Sequence, residues 1–318
     1  MRKLCITAGG GLGDQVCAEP ILRYMKEHWC KDDDIAVMTQ YPFLYKHLDV
    51  TCYDQPVNFP ESRMSVATHP WRDEEDSICF HQMHTVDYIS LRLLRRQLPL
   101  KARTVKLSIS LEAQKKIDEI VGDPKKAVIL HPGVSWASKN LPLACWQGYL
   151  DSLLDAGFKT IVAGKNFIAN NTDYSIRGAY QLQGGLNLVD KLNLEEFCAL
   201  LNHVPILITN DSAPLHLAGA FNNWIGLIAT CRAPSYLFPY RHGSQLYKTC
   251  SLERNPIYEQ FDFDPLSFLH WPIGEATQES LREAAPKNED IITFVTPCAV
   301  RFRHSCRRYK APIKSSNF

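Results

Sequence analysis

The sequence predicts an α/β protein, because short apolar strands alternate with amphipathic helices along most of the chain. A length of 318 residues is about twice that of a common ~150-residue domain, which favours two domains. Each half opens with an apolar strand and a glycine-bearing loop: Leu4–Ala8 precedes Gly9–Gly13, and Ala127–Leu130 precedes His131–Lys139. We therefore expect two doubly wound, Rossmann-like domains that face each other across a cleft.

The N-terminal half is predicted to contain two strands and three helices. Leu4–Ala8 and Ile35–Thr39 are short apolar runs bounded by turn residues, a pattern typical of buried strands. We place Pro20 in the first turn of the helix between them, where a missing backbone N–H costs little. Val86–Leu98 and Leu111–Val121 are predicted to be the other two helices. The apolar stripe of the first helix consists of Ile21, Leu22, Met25 and Trp29.

The turn sequence Gly122–Pro124 marks the predicted domain boundary, because glycine and proline together end a helix. Residues 1–123 are assigned to an N-terminal, acceptor-side domain and residues 124–285 to a C-terminal, nucleotide-sugar-binding domain, on the resemblance described below. Residues 286–318 form a basic extension in this division. Residues 50–78 are rich in proline, aspartate and serine and give no ordered prediction.

The C-terminal half has the clearer alternation of strands and helices. Asn193 and Glu196 have the spacing of a capping box, which predicts a helix start there. Another helix is predicted at Leu217–Phe221, and one more carries Leu143, Trp146, Leu150 and Leu153. Four strands are predicted, at Ala127–Leu130, Thr160–Ala163, Pro205–Thr209 and Trp224–Ala229.

Composition excludes several classes of protein. With 45% hydrophobic and 22% charged residues, the chain is typical of a soluble globular protein rather than a disordered one. A net charge of +1 provides no global attraction to nucleic acid or to an anionic membrane. No run approaches the ~20 apolar residues of a membrane span, and the N-terminus reaches glycines too early for a signal peptide. We expect a cytoplasmic protein, with peripheral membrane contact left open.

The eleven cysteines are predicted to be reduced and mostly buried, because their spacing is irregular and contains no CxxC pair. A metal site is the alternative, at Cys79, His81 and His84. It could extend to Cys298, His304 and Cys306, but these spacings match no standard zinc pattern. No metal is therefore predicted.

The first loop that could bind a ligand or take part in catalysis contains Gly11, Gly13 and Asp14. A glycine-rich loop after the first strand suggests dinucleotide binding, but Asp14 occupies the position of the last glycine. Gln40 also stands where an acidic ribose ligand is expected, so a nicotinamide oxidoreductase is disfavoured. Asp14 is either a helix cap or an acid–base group that faces the cleft.

Two loops of the C-terminal half are candidates for an anion site. Ser135 and Lys139 follow a strand and offer a hydroxyl and an ammonium group to a phosphate. The loop Asp211–His216 opens a helix, whose N-terminus favours anions, and His216 lies one turn further on. In the alternative interpretation Asp211 or Ser212 only caps the helix, and His216 is a hydrogen-bonded core residue.

Three segments together resemble glycosyltransferase family 9, the ADP-heptose:lipopolysaccharide heptosyltransferases. The first is Gly11–Asp14, with the letters GLGD. The second is His131–Gly133, HPG, followed by Lys139. The third is Leu207–Ala218, LITNDSAPLHLA. They have the order and separations of the family and cover roughly residues 1–240.

The resemblance implies a GT-B fold, with two Rossmann-like domains around a cleft, and inverting transfer that needs neither metal nor cofactor. Asp14 would be the general base, in a loop with Gly11 and Gly13. The nucleotide-diphosphate sugar would be held mainly by the C-terminal domain, through Ser135, Lys139, Asp211, Ser212, Ala213 and His216. Lys165 stands near where the family usually has a glutamate, Ser135-Trp136 replaces a threonine pair and Ala213 replaces a glycine, so the nucleotide and the sugar are left open.

The acceptor is also open. It would be a core sugar of lipopolysaccharide or, in the alternative, a hydroxylated base of DNA. Basic residues could bind either anionic acceptor; they are Arg92, Arg95, Arg96, Lys101 and Arg103, with Arg301, Arg303, Arg307, Arg308, Lys310 and Lys314 near the C-terminus. A nucleotide-binding regulator without turnover is a further alternative.

Overall fold

The computed structural model contains two separate parallel sheets, one in each half of the chain. It describes residues 3–54, 63–66, 83–133, 139–165, 182–230, 232–254 and 275–308. The N-terminal sheet has the order β3-β2-β1-β4. Its strands are β1 Lys3–Ala8, β2 Asp34–Met38, β3 Thr51–Tyr53 and β4 Arg63–Val66.

The C-terminal sheet has six strands in the order β10-β9-β8-β5-β6-β7, and all the pairings are parallel. Every residue of the central strands β5 and β8 is buried, which explains their continuous apolar sequences. The strands are β5 Ala127–His131, β6 Lys159–Val162, β7 Leu186–Asn187, β8 Ile206–Asn210, β9 Trp224–Ile228 and β10 Thr249–Ser251.

Eight α-helices lie in the described parts of the chain. None of them is long and apolar enough to cross a membrane. They are α1 Leu12–His28, α2 Thr85–Leu94, α3 Leu111–Val121, α4 Leu143–Asp155, α5 Leu194–His203, α6 Ala213–Ala218, α7 Glu275–Ala284 and α8 Asn288–Arg308.

Parallel pairing places the candidate loops at one edge of the C-terminal sheet. His131, the last residue of β5, pairs with Thr209 of β8, and Asn210 pairs with Ile228 of β9. The three strands thus end together, and the loops that follow them leave the sheet side by side.

Most predicted elements are confirmed, and several placements are wrong. The α/β class, the capping box at Asn193 and the helix Leu111–Val121 are as expected. Pro20 is not in the first turn of α1. The helix begins at Leu12, one residue before Gly13, so Pro20 lies in its interior.

Two other predicted helices have different bounds. The helix predicted at Leu217–Phe221 is instead Ala213–Ala218, with proline at its second position. The helix predicted at Val86–Leu98 ends at Leu94, because Arg95 takes a left-handed conformation. Trp29 follows the end of α1 and is 41% exposed instead of lying on its buried stripe.

The two halves pack against each other through helices α3 and α5. Helix α3 packs on α5 of the other half, through an ion pair from Lys116 to Glu196, 2.6 Å, and a contact of 2.9 Å between Nδ1 of His203 and Oδ1 of Asp118. At the C-terminal end, α8 buries Ile291 against a cluster that includes residues of α4. The segment described above as an extension therefore contributes to the C-terminal core, while the domain division remains a prediction.

Candidate active site

Asp14 serves as a cap at the start of α1 and still reaches solvent. Its Oδ2 atom accepts a hydrogen bond from the backbone N–H of Gly11, with an N···O distance of 2.9 Å. The side chain occupies the third position of the helix, where a carboxylate suits the positive end of the helix dipole. Residue 14 is only partly buried. The cap and the cleft-facing roles predicted as alternatives are therefore compatible.

Gly13 brings the start of α1 against the start of α6. A Cβ atom at residue 13 would lie 3.3 Å from Cδ2 of His216 and 3.5 Å from Cα of Ala213. A larger residue would push the helices apart, so glycine permits the close approach. The first and third predicted loops, which are about 200 residues apart in sequence, are thus neighbours.

Asn210 ties the second loop to the third. Its side-chain amide donates to the carbonyl oxygens of Lys139, 2.8 Å, and Pro132, 3.3 Å. One side chain at the end of β8 therefore holds both ends of the loop that follows β5. Residues 134–138 lie outside the described residues, and the prediction for Ser135 stays untested with them.

Lys139 and Asp211 form an ion pair, with 2.5 Å between Nζ and Oδ2. The lysine side chain is 17% exposed and that of the aspartate 7%. Burial would raise the pKa of Asp211, but the positive charges of Lys139 and then Arg232 outweigh it and hold that pKa below its usual value. An ionised Asp211 repels phosphate, so it suits a residue that orients Lys139 rather than one that contacts a diphosphate directly.

Ser212 precedes α6, but its side chain does not cap that helix. Its Oγ atom lies 3.2 Å from Oγ1 of Thr209 and 3.4 Å from Nδ1 of His131. Capping by Ser212, part of the alternative interpretation, is therefore not what the structure shows. The hydroxyl belongs to a polar group at the ends of β5 and β8.

His216 is a buried, neutral histidine. Burial lowers its pKa to about 4; the Asp211 carboxylate opposes this shift, and Arg232 and Lys139 reinforce it. Its ring meets that of His84 edge-on, with 6.3 Å between the centroids. His84 begins α2 and accepts the Val86 N–H at Nδ1, 3.1 Å, so a residue of the N-terminal half borders the third loop.

Arg232 is a site residue that the sequence patterns did not identify. It lies four residues beyond the end of β9, at the edge where β5 and β8 also end, and is 8% exposed. Its Nη2 atom donates to the carbonyl oxygen of Met83, 3.1 Å away, in the other half of the chain. A basic residue shortly after a buried parallel strand was the available signal.

No group of three or more histidine, cysteine or acidic residues able to hold a metal ion occurs in the described parts of the chain. Of the alternative metal ligands, Cys79 and His81 lie outside the described residues. His84 borders α6, whereas Cys298 lies in α8 and donates to Phe294 O. These two residues therefore belong to different parts of the fold.

Three of the five candidate basic residues of the N-terminal half make side-chain contacts within the protein. Arg103 pairs with Asp87, 2.9 Å, and the guanidinium of Arg96 lies 4.6 Å from the ring centroid of Trp29. Arg92 donates to the hydroxyl of Tyr88. For residues 301–308 the structure describes the helical backbone alone, and residues 309–318 lie outside it, so the basic C-terminal side chains remain untested.

Residues 72–233, just over half of the chain, match the family model for glycosyltransferase family 9 (heptosyltransferase). A comparison with curated sequences finds no match.

Solved structures match over most of the chain at low identity. A family 9 glycosyl transferase from Veillonella parvula DSM 2008 has a TM-score of 0.62 and 13% identity, and covers 94% of this chain and 98% of its own. E. coli ADP-heptose lps heptosyltransferase II has a TM-score of 0.60 and 13% identity, covering 95% and 100%. The iron-containing dodecameric glycosyltransferase TibC from enterotoxigenic E. coli H10407 has a TM-score of 0.65 and 16% identity, covering 95% and 76%. The predicted GT-B fold is confirmed.

Proposed function

Because this chain belongs to glycosyltransferase family 9 and is a glycosyltransferase, we propose that it moves a sugar from a nucleoside diphosphate sugar to an acceptor hydroxyl, with inversion. The observation that carries this proposal is the position of Asp14. Its helix meets the Asp211–His216 loop at Gly13, so a carboxylate stands next to the candidate donor site. Such a carboxylate can act as the general base of the transfer.

In the proposed reaction Asp14 removes the proton from the acceptor hydroxyl. The acceptor oxygen forms a bond to the anomeric carbon from the face opposite the diphosphate. The bond from that carbon to the diphosphate oxygen breaks, and the nucleoside diphosphate leaves with the electron pair. Asp14 holds the proton until solvent removes it, so atoms and charges balance.

Lys139 is the proposed electrostatic partner of the diphosphate. Its ammonium is partly exposed, and Asp211 fixes its position. Neutral His216 would donate a hydrogen bond to the donor, and Ser212, Ala213 and the untested Ser135 would complete the donor site. Positive side-chain charge could stabilise the leaving group here without a metal ion, and we propose metal-independent transfer on that basis.

We propose an ADP-heptose-type donor and a lipopolysaccharide-type sugar acceptor. One similar structure is the E. coli ADP-heptose lps heptosyltransferase, and TibC was solved in complex with ADP-D-β-D-heptose. No described feature of this chain favours DNA as the acceptor. A regulator that binds nucleotide without turnover would release no nucleoside diphosphate, which distinguishes it from the enzyme.

The test of this proposal measures nucleoside diphosphate release from ADP-heptose with lipopolysaccharide core oligosaccharide as acceptor, before and after chelation with EDTA. We expect transfer, a product with inverted anomeric configuration by NMR, and an unchanged rate after chelation. A retained configuration would contradict the mechanism. A rate lost with EDTA and restored by a divalent cation would contradict metal independence.

A further inference from the structure

Residues 240–242 of the C-terminal half link helix α6 to the N-terminal half. The middle residue, Arg241, is buried and donates to the carbonyl oxygen of Ala218, the last residue of α6, at 2.7 Å. The residues on either side of it contact the other half of the chain. Nε2 of His242 lies 2.7 Å from Oγ1 of Thr104. The segment is therefore fixed to the end of α6 and reaches the N-terminal half on both sides of that anchor.

The hydroxyl of Tyr240 binds to an ion pair of the N-terminal half. Asp87, in the first turn of α2, pairs with Arg103, with 2.9 Å between Oδ1 and Nη1. The Tyr240 hydroxyl donates to Oδ2 of Asp87 and accepts from Nη1 of Arg103, 3.1 Å away. Burial raises the pKa of Tyr240 to about 12, so the hydroxyl keeps its proton at neutral pH. Because its partners are charged, these are strong hydrogen bonds between the halves.

The ring of Tyr240 is connected to His216 through the ring of His84. The centroids of the Tyr240 and His84 rings are 4.6 Å apart. His84 in turn meets His216 edge-on, at 6.3 Å and an interplanar angle of 86°. Burial lowers the pKa of His84 well below its usual value and that of His216 to about 4, so both rings are neutral. Edge-on packing of such rings within about 7 Å is favourable.

His84 and Asp87 belong to the same turn, so the hydroxyl and the ring of Tyr240 act on one unit. The backbone N–H of Asp87 donates to the carbonyl oxygen of His84, 2.9 Å. Nδ1 of His84 accepts the backbone N–H of Val86, 3.1 Å, which fixes the ring against the start of α2. A displacement of Asp87 would therefore be passed to the ring that contacts His216.

We propose that Tyr240 is a positioning residue that fixes the ring of His216 through the first turn of α2, so that binding of the donor depends on a contact between the two halves. The inference rests on the proposed function, in which His216 is part of the donor site. It adds Tyr240 and Asp87, which lie outside the three family-like segments. It also makes the donor site dependent on the N-terminal half, although its side chains come from the C-terminal half.

The test measures KM for ADP-heptose and kcat in two variants of Tyr240. Tyr240→Phe removes the hydroxyl and keeps the ring, whereas Tyr240→Leu removes both. We expect KM to rise about threefold in the first and about tenfold in the second. We expect kcat to stay within about twofold of the wild type, because a residue that acts on donor binding changes KM and not the chemical step.

Asp87→Asn approaches the same contact from the N-terminal half. It keeps an oxygen that accepts from Tyr240 and loses the charge that pairs with Arg103. We expect KM for the donor to rise about twofold, with kcat unchanged, because a hydrogen bond to a neutral group is weaker.

Tyr149→Phe is the matched control. It also removes a tyrosine hydroxyl from a hydrogen bond, to the carbonyl oxygen of Pro286 at 2.9 Å, but within the C-terminal half. We expect it to leave KM and kcat unaltered. An unchanged KM in Tyr240→Phe, or an equal rise in Tyr149→Phe, would overturn the proposal. If neither variant of Tyr240 folds, an unchanged KM in Asp87→Asn would overturn it.

NMR of the histidine rings separates this inference from the proposed function. In ligand-free protein with ¹⁵N-labelled histidine, the His216 ring signals are assigned by their loss in His216→Gln. We expect these signals to shift in Tyr240→Phe and not in Tyr149→Phe. A KM that rises while they stay unchanged would contradict the inference, because the effect would not pass through His216. If the wild type transfers no sugar, the proposed function fails, and the ring signals still decide whether Tyr240 positions His216.

Discussion

At the scale of single residues, the site depends on how closely two helices approach at Gly13. Glycine in a helix is unfavourable by roughly 1 kcal/mol relative to alanine. Its presence at the second position of α1 therefore needs another reason. The contact with His216 and Ala213 supplies it, because a Cβ atom there would press on the loop that we assign to the donor.

Gly13→Ala should separate stability from activity. We expect the midpoint of thermal unfolding to change little, because the helix propensity gained with alanine offsets the strain of its Cβ atom against His216 and Ala213. We expect kcat/KM for the donor to fall about tenfold, because small displacements at a reacting centre are costly. The measurements are calorimetry and steady-state kinetics.

Gly148→Ala is the control for that variant. Gly148 lies within helix α4, and a Cβ atom there would be 3.2 Å from Oδ1 of Asn288, at the start of α8. Its activity should be unchanged. Equal losses in both variants would show that helix crowding, and not the approach of α1 to α6, controls the rate.

The lowered pKa of buried His131 predicts that the stability of the protein depends on pH. Burial lowers its pKa from 6.5 to about 4, so between these values the unfolded chain binds a proton that the folded protein does not. Unfolding is therefore favoured as the pH falls through this window, and little of the free energy of unfolding is lost above pH 6.5. Between pH 7 and pH 5 we expect this histidine to lower the free energy of unfolding by about 2 kcal/mol.

His131→Gln removes that titrating group. Denaturant unfolding of the variant at pH 7 and pH 5 should show a pH-induced loss smaller by about 2 kcal/mol than in the wild type. Buried His216 remains as an internal reference, since its pKa is also about 4. Identical losses in the two proteins would exclude His131 as a source of the acid sensitivity.

At the scale of elements, helix α1 is anchored by a buried carboxylate. Glu19 is fully buried and accepts from Nε of Arg23, 2.8 Å, and from the backbone N–H of Lys106, 2.9 Å. The ring of His47 lies 3.0 Å from the same carboxylate. Arg23 in turn donates to Thr104 O at 2.7 Å, so the helix that carries Asp14 is fastened to the segment leading into α3.

Glu19→Ala should therefore destabilise the protein by about 3 kcal/mol, because it leaves the buried charge of Arg23 without its partner. Glu27→Ala is the matched control, since Glu27 is exposed near the end of the same helix. That change should cost no more than about 0.5 kcal/mol. Denaturant unfolding measures both, and equal costs would mean that the Glu19 cluster adds nothing.

Helices and strands with a clear local pattern of apolar or capping residues were predictable from the sequence, and very short strands were not. The strand at Ala127, the helix Leu111–Val121 and the capping box at Asn193 are encoded by local patterns. Strands of two or three residues, such as β7, offer too little periodicity. The start of α1 was misplaced because its glycine was assigned to a loop, whereas packing against α6 decides its conformation.

The residues of the candidate site also divide into those that local sequence patterns indicate and those that they do not. Asp14, Lys139 and the Asp211–His216 loop were indicated by residue type and by their places after strands, and the structure brings them together at one edge. Arg232 had one local signal, its place shortly after β9, and His84 was missed as a site residue because it is defined by a contact between halves. Local sequence patterns carry no information about such contacts.

At the scale of the whole molecule, two parallel sheets meet where their loops converge. The N-terminal half supplies Asp14 and His84, and the C-terminal half supplies Lys139, Asp211 and Arg232. Neither half contains the complete set of groups. Both halves are therefore required for the chemistry we propose, and the near-zero net charge of +1 is compatible with a local cluster of charges in the cleft.

The central claim is tested most directly by donor binding and turnover in Asp14→Asn. The account predicts that ADP-heptose still raises the unfolding temperature of the variant, since the donor groups are intact. It predicts that release of nucleoside diphosphate falls by about 10²- to 10⁴-fold, as expected for loss of a general base. Glu27→Gln, an exposed change near the far end of the same helix, should leave both measurements unaltered. Full turnover in Asp14→Asn would contradict the account.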